Sequence, residues 1–133
     1  MSTNIFEQAL YTKLTATSAI TDLTSTRIYP LELPQDCTKP ALVYQRIETD
    51  AISAFGQDLS TVRVRVQITC WSTTFNEVMA LAVAVKNALT RWSGTYDNIV
   101  IQDTFLDSEY EDNDWVTNQN GIIQEYIVWF TQG

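Results

Sequence analysis

Apolar and polar residues alternate most regularly over residues 59–72. One set of alternate positions is apolar (Val62, Val64, Val66, Ile68, Cys70) and the other is polar (Arg63, Arg65, Gln67, Thr69). Because successive side chains of a strand point to opposite faces, this alternation predicts a β-strand with one apolar face. A second strand is predicted over residues 41–50. Residues 51–58 connect the two strands, with Phe55 near the tip, so the pair is typical of an antiparallel hairpin.

Two segments have the apolar spacing of an amphipathic helix. The first is residues 4–16, where the apolar face consists of Ile5, Ala9, Leu10 and Leu14. The second runs from Thr74 to about Trp92, and its stripe consists of Val78, Leu81, Ala82, Val85, Leu89 and Trp92. Thr74 and Glu77 match a capping box, and Gly94 is expected to stop the helix.

The Thr/Ser-rich stretch after the first helix is expected to be a connection, anchored by Ile20 and Leu23 and with Asp22 capping a short turn. Two further strands, rich in β-branched and aromatic residues, are predicted over residues 98–106 and 121–132. The expected fold is therefore one α+β domain over residues 1–133. Its order is α-β-β-α-β-β, with two helices packed against a mostly antiparallel sheet.

Composition excludes several classes of function. The 133 residues include no histidine, which removes the commonest general base and zinc ligand and makes an enzyme improbable. Cys37 and Cys70 have no metal-ligand spacing and are expected to be free thiols, so no cofactor is predicted. No apolar run has the length of a membrane span, and the N-terminus lacks the pattern of a signal peptide. The sequence is typical of a protein made in the cytoplasm.

The net charge of -8 is confined to the last third of the chain. Residues 1–91 hold equal numbers of acidic and basic side chains, whereas residues 92–133 contain neither lysine nor arginine. Nucleic-acid binding needs clustered cations, so this distribution argues against it.

Residues 27–46 carry a resemblance to a known family. Their sequence is RIYPLELPQDCTKPALVYQR, in which an arginine leads into a short extended segment ending at Pro30 and a loop passes through Pro34. Lys39 is pushed out of the α region by Pro40, and a strand follows. This string, placed after an amphipathic helix, resembles the tail-completion (tail-terminator) proteins of long-tailed bacteriophages.

The resemblance implies a structural protein that forms a ring, commonly a hexamer, at the head-proximal end of the tail tube. Such a ring would terminate tail polymerisation and contact both the major tail tube protein and the head connector. DNA would pass through its channel without specific binding. The expected location is the virion tail, after assembly in the host cytoplasm. The alternatives are another minor tail or head-completion protein, or a cytoplasmic regulatory α+β module that binds a small molecule.

The acidic stretch near the end of the chain contains Asp107, Glu109, Glu111, Asp112 and Asp114. It is predicted to lie in a turn-rich connection over residues 107–120. Three interpretations stay open: a solvated loop, an acidic patch that faces the channel and repels passing DNA, or a divalent-cation site, although EF-hand spacing is absent.

Several residues are candidates for a contact between subunits. Arg63 and Arg65 either pair with the carboxylates of Glu48 and Asp50 on the preceding strand or lie in an interface, where arginine is enriched. The last strand is apolar on both sides, as expected either of a central covered strand or of a strand whose Ile127 and Trp129 meet a neighbour. Phe55 is either tucked onto the core or an exposed anchor.

Overall fold

A computed structural model describes the backbone of residues 6–31, 40–54, 57–96, 99–113 and 119–132, and their side chains except at 50–61 and 132. The elements in chain order are α1 (Phe6–Ala16), α2 (Ser18–Thr24), β1 (Ile28–Pro30), β2 (Ala41–Ala54), β3 (Gln57–Ser72), α3 (Phe75–Leu89), β4 (Gly94–Tyr96), β5 (Ile99–Glu111) and β6 (Asn120–Gln132). The strands form one sheet in the order β1-β2-β3-β6-β5-β4. β1 pairs with β2 in parallel and the other pairs are antiparallel. The α+β class is confirmed, but the order α-β-β-α-β-β is wrong.

The Thr/Ser-rich stretch after α1 is a helix and not a connection. In α2 the side chain of Ile20 is fully buried and Leu23 packs against the core. The buried hydroxyl of Thr24 donates to the carbonyl of Ile20 at 3.2 Å, so this threonine needs no partner outside the helix. Asp22 lies inside α2, exposed, and therefore does not cap a turn.

The capping box at the start of α3 is confirmed in part. The Thr74 hydroxyl accepts from the backbone N–H of Glu77 at 3.3 Å. The Glu77 carboxylate accepts from the hydroxyls of Thr74 and Ser72, while the backbone N–H of Thr74 donates to the Ser72 hydroxyl. The predicted apolar stripe is buried, but the helix ends at Leu89. Arg91 takes the left-handed conformation (φ 61°) and Gly94 begins β4 instead of stopping the helix.

β2 and β3 are longer than predicted. They stay paired through Ala54 and Gln57, so most of the expected connection 51–58 is strand. Phe55 lies outside the described residues. Two register shifts, at Arg46/Glu48 and Ala51/Ser53, interrupt the pairing.

The core lies between the helices and one face of the sheet. Phe6 of α1 stacks on Phe130 of β6 at 5.0 Å between ring centroids, and both are buried with the stripe of α3. Cys70 is on this face, buried and free, and burial raises the pKa of its thiol. Cys37 lies outside the described residues. We call the sheet face that packs against the helices the core face.

One buried hydrogen-bond network crosses the core. The fully buried amide of Gln124 donates to the carbonyl of Ala82 on α3 at 3.0 Å and to Glu109 on β5 at 2.7 Å. The hydroxyl of Tyr126 donates to the Gln124 carbonyl oxygen at 2.7 Å. The network therefore joins α3 to the two strands beneath it.

Candidate assembly surface

The sheet face opposite the core face carries a mixed row of apolar and arginine side chains, and we call it the open face. The strand register defines this face. Its residues lie opposite one another on neighbouring strands, and along each strand they alternate with residues that are buried in the core. Within the described chain, the helices pack on the other side. The open face includes Arg63, Arg65, Gln67 and Thr69 of β3, Phe105 and Tyr110 of β5, and Ile123, Glu125, Ile127 and Trp129 of β6.

The structure brings together four of the five residues proposed for a subunit contact. Arg63 lies opposite Trp129, and Arg65 opposite Ile127, on neighbouring strands of the open face. The guanidinium of Arg63 is 5.7 Å from the centroid of the Trp129 ring, which is a cation–π distance. The fifth residue, Phe55, is not among the described residues.

Arg65 is held by two carboxylates. Its Nη1 lies 2.6 Å from Asp107 of β5 and 3.1 Å from Glu125 of β6. The hydrogen bond that Arg65 donates to Asp107 is the main reason why the pKa of Arg65 is raised. On β2, Glu48 is the register partner of Arg65. The carboxylates that bind Arg65 come instead from β5 and β6, on the other side of β3. The expected pairing of Arg65 with Glu48 is therefore wrong. The side chain of Asp50 lies outside the described residues.

Aromatic residues of β5 complete the open face. Phe105, opposite Ile127, is 40% exposed, and Tyr110, opposite Ile123, is 47% exposed. Ile127 itself is only 7% exposed. Phe105 and Tyr110 are not among the residues predicted from the sequence for a subunit contact. The strict alternation of faces that would reveal them in the sequence is interrupted, because β5 changes register at Ile101/Asp103 and at Leu106/Ser108.

The acidic stretch is mostly strand and not a loop, because β5 continues to Glu111. Asp107 pairs with Arg65 on the open face, whereas Glu109 reaches the core side and binds Lys86 at 3.1 Å. Glu111 and Asp112 are exposed, and the backbone N–H of Asp112 donates to the carbonyl of Gly121. Asp114 lies outside the described residues. Among those described, no cluster of three or more ligand-type side chains suits a metal ion.

A groove of about 590 Å³ runs along α1 and is lined by the rings of Tyr11, Tyr44 and Tyr96 with Glu7 and Thr12 beside them. The Glu7 carboxylate is bound by Arg46, whose guanidinium also lies over the Phe6 ring. Burial raises the pKa of Tyr44 here, with Tyr11 and Glu7 adding to it. In the described part of the chain, no helix is long and apolar enough to cross a membrane.

Comparisons with known proteins agree with this architecture. The family model described as Tail completion protein gp17 matches residues 8–131. A solved chain in the virion of a native gene transfer agent (GTA) particle has the same fold, with a TM-score of 0.76. The alignment covers 96% of this chain and 95% of that one at 15% identity. A search of curated proteins finds no match.

Proposed function

The chain belongs to the Tail completion protein gp17 family, a family of phage tail components, and from that premise we propose that it forms a ring at the head-proximal end of the tail tube. The ring consists of six copies. It terminates polymerisation of the tube on one side and meets the head connector on the other. The protein is assembled in the host cytoplasm and ends in the virion. Family membership favours this structural role over a regulatory module.

The observation that supports ring assembly is the open face. In the part of the chain that the structure describes, the helices pack on one side of the six-stranded sheet. The other side carries Phe105 on β5, and Trp129 on β6 opposite Arg63 on β3. Aromatic residues and arginine are the types enriched in the buried centre of protein interfaces. A neighbouring copy that covers the open face removes its apolar side chains from water. This stabilises the contact by about 25 cal/mol for each Å² of apolar surface that is buried.

The end of β5 supplies the part of the acidic stretch that we assign to the channel. Asp107 and Glu109 are neutralised by Arg65 and Lys86, so their charges hold the subunit together. Glu111 and Asp112 are exposed, and the ion pairs of the described residues do not include them. Carboxylates that line a channel repel phosphate, whereas lysines would hold DNA through counterion release.

The test is the oligomeric state of the purified protein. Native mass spectrometry and light scattering across a concentration series are expected to show a closed hexamer in equilibrium with the monomer. Phe105→Glu places a charge on the open face and is expected to weaken assembly at least tenfold. Thr12→Glu adds the same charge on the exposed side of α1 and should assemble normally. A strict monomer at the highest concentration, with no ring at the end of purified tails, contradicts the proposal.

A further inference from the structure

The groove along α1 is built around three tyrosine rings. Tyr11 comes from α1, Tyr44 from β2 and Tyr96 from β4. The rings of Tyr11 and Tyr44 lie 6.2 Å apart between centroids and are inclined at 50°. Tyr44 is the register partner of the core residue Ile68, so the groove lies on the helix side of the sheet and is separate from the open face. We call this site the tyrosine groove.

Two of the three rings are held in place by the surrounding structure. The hydroxyl of Tyr96 accepts a hydrogen bond from Nε1 of Trp92 at 3.0 Å, and these two rings meet edge to face at 5.8 Å between centroids. Tyr44 is buried. Tyr11, in contrast, is 41% exposed. A ligand therefore meets a preformed site that is open to solvent beside Tyr11, and little freedom is lost when it binds.

The groove contains one carboxylate. Among the described residues that line it, Glu7 is the single charged side chain. Its Oε1 accepts a hydrogen bond from Arg46, whose guanidinium lies over the Phe6 ring outside the groove lining. Within the described ranges, no hydrogen bond is made to the other oxygen, Oε2. Arg46 therefore fixes the position of the carboxylate and leaves it able to accept a further donor.

The phenol of Tyr44 shows which sign of charge the groove favours. Burial raises its pKa, and the negative charges of ionised Tyr11 and of Glu7 raise it further. These two charges oppose a further negative charge beside the ring and favour a positive one. The faces of the tyrosine rings act in the same direction, because an aromatic face attracts cations.

These features determine the chemistry of the ligand. An anion would be repelled by Glu7, and the described lining contains neither lysine nor arginine to offset that repulsion. A wholly apolar ligand would bury Oε2 without a hydrogen-bond donor, which is unfavourable. A guanidinium avoids both costs, because it donates to carboxylates, stacks on aromatic faces and stays charged at every accessible pH.

The size of the groove indicates a segment of polypeptide. Its volume of about 590 Å³ is that of a site enclosing a whole ligand, with room for more than one guanidinium group. An arginine side chain packs its aliphatic stem along apolar surface, which the tyrosine rings supply. The net charge of -8 favours encounter with a basic partner, since complementary charge steers association.

We propose that the tyrosine groove binds an arginine side chain presented by an extended segment of a partner protein. The guanidinium stacks on the rings of Tyr11 and Tyr44 and donates to Oε2 of Glu7. The arginine stem and the flanking backbone occupy the rest of the groove, towards Tyr96. This inference goes beyond the proposed ring, because it uses a different surface and applies to the monomer as well as to the assembled protein.

NMR titration of the whole chain with a short peptide tests the site. The probe is a glycine peptide, blocked at both ends, with one central arginine, and its control carries citrulline, which is neutral and of similar shape. The arginine peptide is expected to shift the ring signals of Tyr11, Tyr44 and Tyr96 until they saturate. The citrulline peptide should bind about tenfold more weakly, because the cation–π contact and the charge-assisted hydrogen bond are lost. Bound arginine should also lower the pKa of Tyr44, because a cation stabilises the phenolate.

Two variants with matched controls locate the binding site. Glu7→Gln removes the charge and Tyr11→Ala removes the exposed ring, and each is expected to weaken binding of the arginine peptide about tenfold. Asp22→Asn and Tyr110→Ala make comparable changes at exposed positions outside the groove lining and should bind as the unaltered chain does. Circular dichroism checks the fold of each variant, and if one of the first two is unfolded, the other decides.

Three outcomes would overturn the proposal. The first is the absence of saturable shifts with the arginine peptide. The second is equal binding of the arginine and citrulline peptides, which would mean that the groove does not recognise charge. The third is unchanged binding by folded Glu7→Gln or Tyr11→Ala. The assembly state is a separate matter: a chain that binds the arginine peptide but never forms a ring refutes the proposed function and supports this site.

Discussion

Arg65 on β3 and Asp107 on β5 are joined by an ion pair of 2.6 Å that spans the intervening strand β6. Glu125 on β6 lies beneath the same guanidinium at 3.1 Å and accepts a further hydrogen bond from the hydroxyl of Tyr110. One arginine therefore ties three strands together. Its charge is therefore matched within the chain.

Replacing Arg65 by alanine is expected to lower the free energy of unfolding by about 1–2 kcal/mol, since two charge-assisted hydrogen bonds are lost and Glu125, with a side chain only 18% exposed, is left unpaired. The matched control is Arg91→Ala. Arg91 pairs with Asp103, but its side chain is 74% exposed, and such pairs contribute at most about 1 kcal/mol. Urea denaturation of both variants measures the difference. Equal losses would mean that the three-strand ion pair adds no stability.

Gly121 lies where β6 passes close to the end of β5. A Cβ placed there would lie 2.4 Å from the carbonyl oxygen of Asp112 and 2.7 Å from a ring carbon of Trp71, so backbone has to move. Gly121→Ala is expected to cost about 2–3 kcal/mol in thermal or urea unfolding. Gly94→Ala is the control, because its nearest atom is a Tyr96 ring carbon at 3.3 Å, and it should cost less than about 1 kcal/mol. A milder effect at Gly121 than at Gly94 would refute this account.

The long central elements were predictable because their patterns are regular. The alternation of β3 and the stripe of α3 each repeat over several turns or residue pairs, and both are buried as predicted. The two-sided apolar character of β6 was also visible, and its central place between β3 and β5 explains it.

The short and irregular elements were not predictable by periodicity. Helix α2 has seven residues of mostly Ser, Thr and Ala type, whose helix propensity is mixed, and tertiary packing of Ile20 stabilises it. The acidic composition of the end of β5 is typical of a loop, although the segment is a strand. Its charges are tolerated in a strand because Arg65 and Lys86 neutralise Asp107 and Glu109 from opposite faces. Those long-range partners carry no local signal in the sequence.

Gln124 holds α3 on the sheet through buried hydrogen bonds. Gln124→Ala removes the partners of Ala82, Glu109 and Tyr126 together, and buried polar groups left without partners cost about 1–3 kcal/mol. The expected loss of unfolding free energy is therefore about 3 kcal/mol. Gln102→Ala, at an exposed position on β5, should change stability by less than about 0.5 kcal/mol. Hydrogen exchange of α3 should rise in the first variant only, and unchanged protection of α3 would contradict the role of the network.

Stability is expected to fall as the pH rises above about 9. Burial raises the pKa values of Tyr126 and Cys70, so the folded chain keeps protons that the unfolded chain releases near the ordinary values of tyrosine and cysteine. The unfolded state then binds fewer protons, and the free energy of unfolding decreases with pH by up to about 1.4 kcal/mol per unit for each group. Tyr126→Phe should make the decline above pH 10 shallower by about that amount. The stability of Tyr126→Phe at pH 7 measures the separate effect of losing the hydrogen bond to Gln124, because tyrosine is protonated there in both states. A slope identical to that of the unaltered chain would show that Tyr126 ionises in the fold.

Reversing the charge at the end of β5 tests the channel assignment. Glu111→Lys is expected to leave assembly unchanged, because Glu111 is exposed and lies outside the ion pairs of the described residues. In a ring of six it would add six lysines to the channel wall, and phosphate contacts of that kind are strongest at low salt. DNA ejection from particles with variant tails should therefore slow at low ionic strength and recover as salt is raised. Asp22→Lys makes the same change of charge at an exposed position on α2 and should eject DNA normally. If both variants eject DNA at the unaltered rate at every salt concentration, Glu111 does not face the channel.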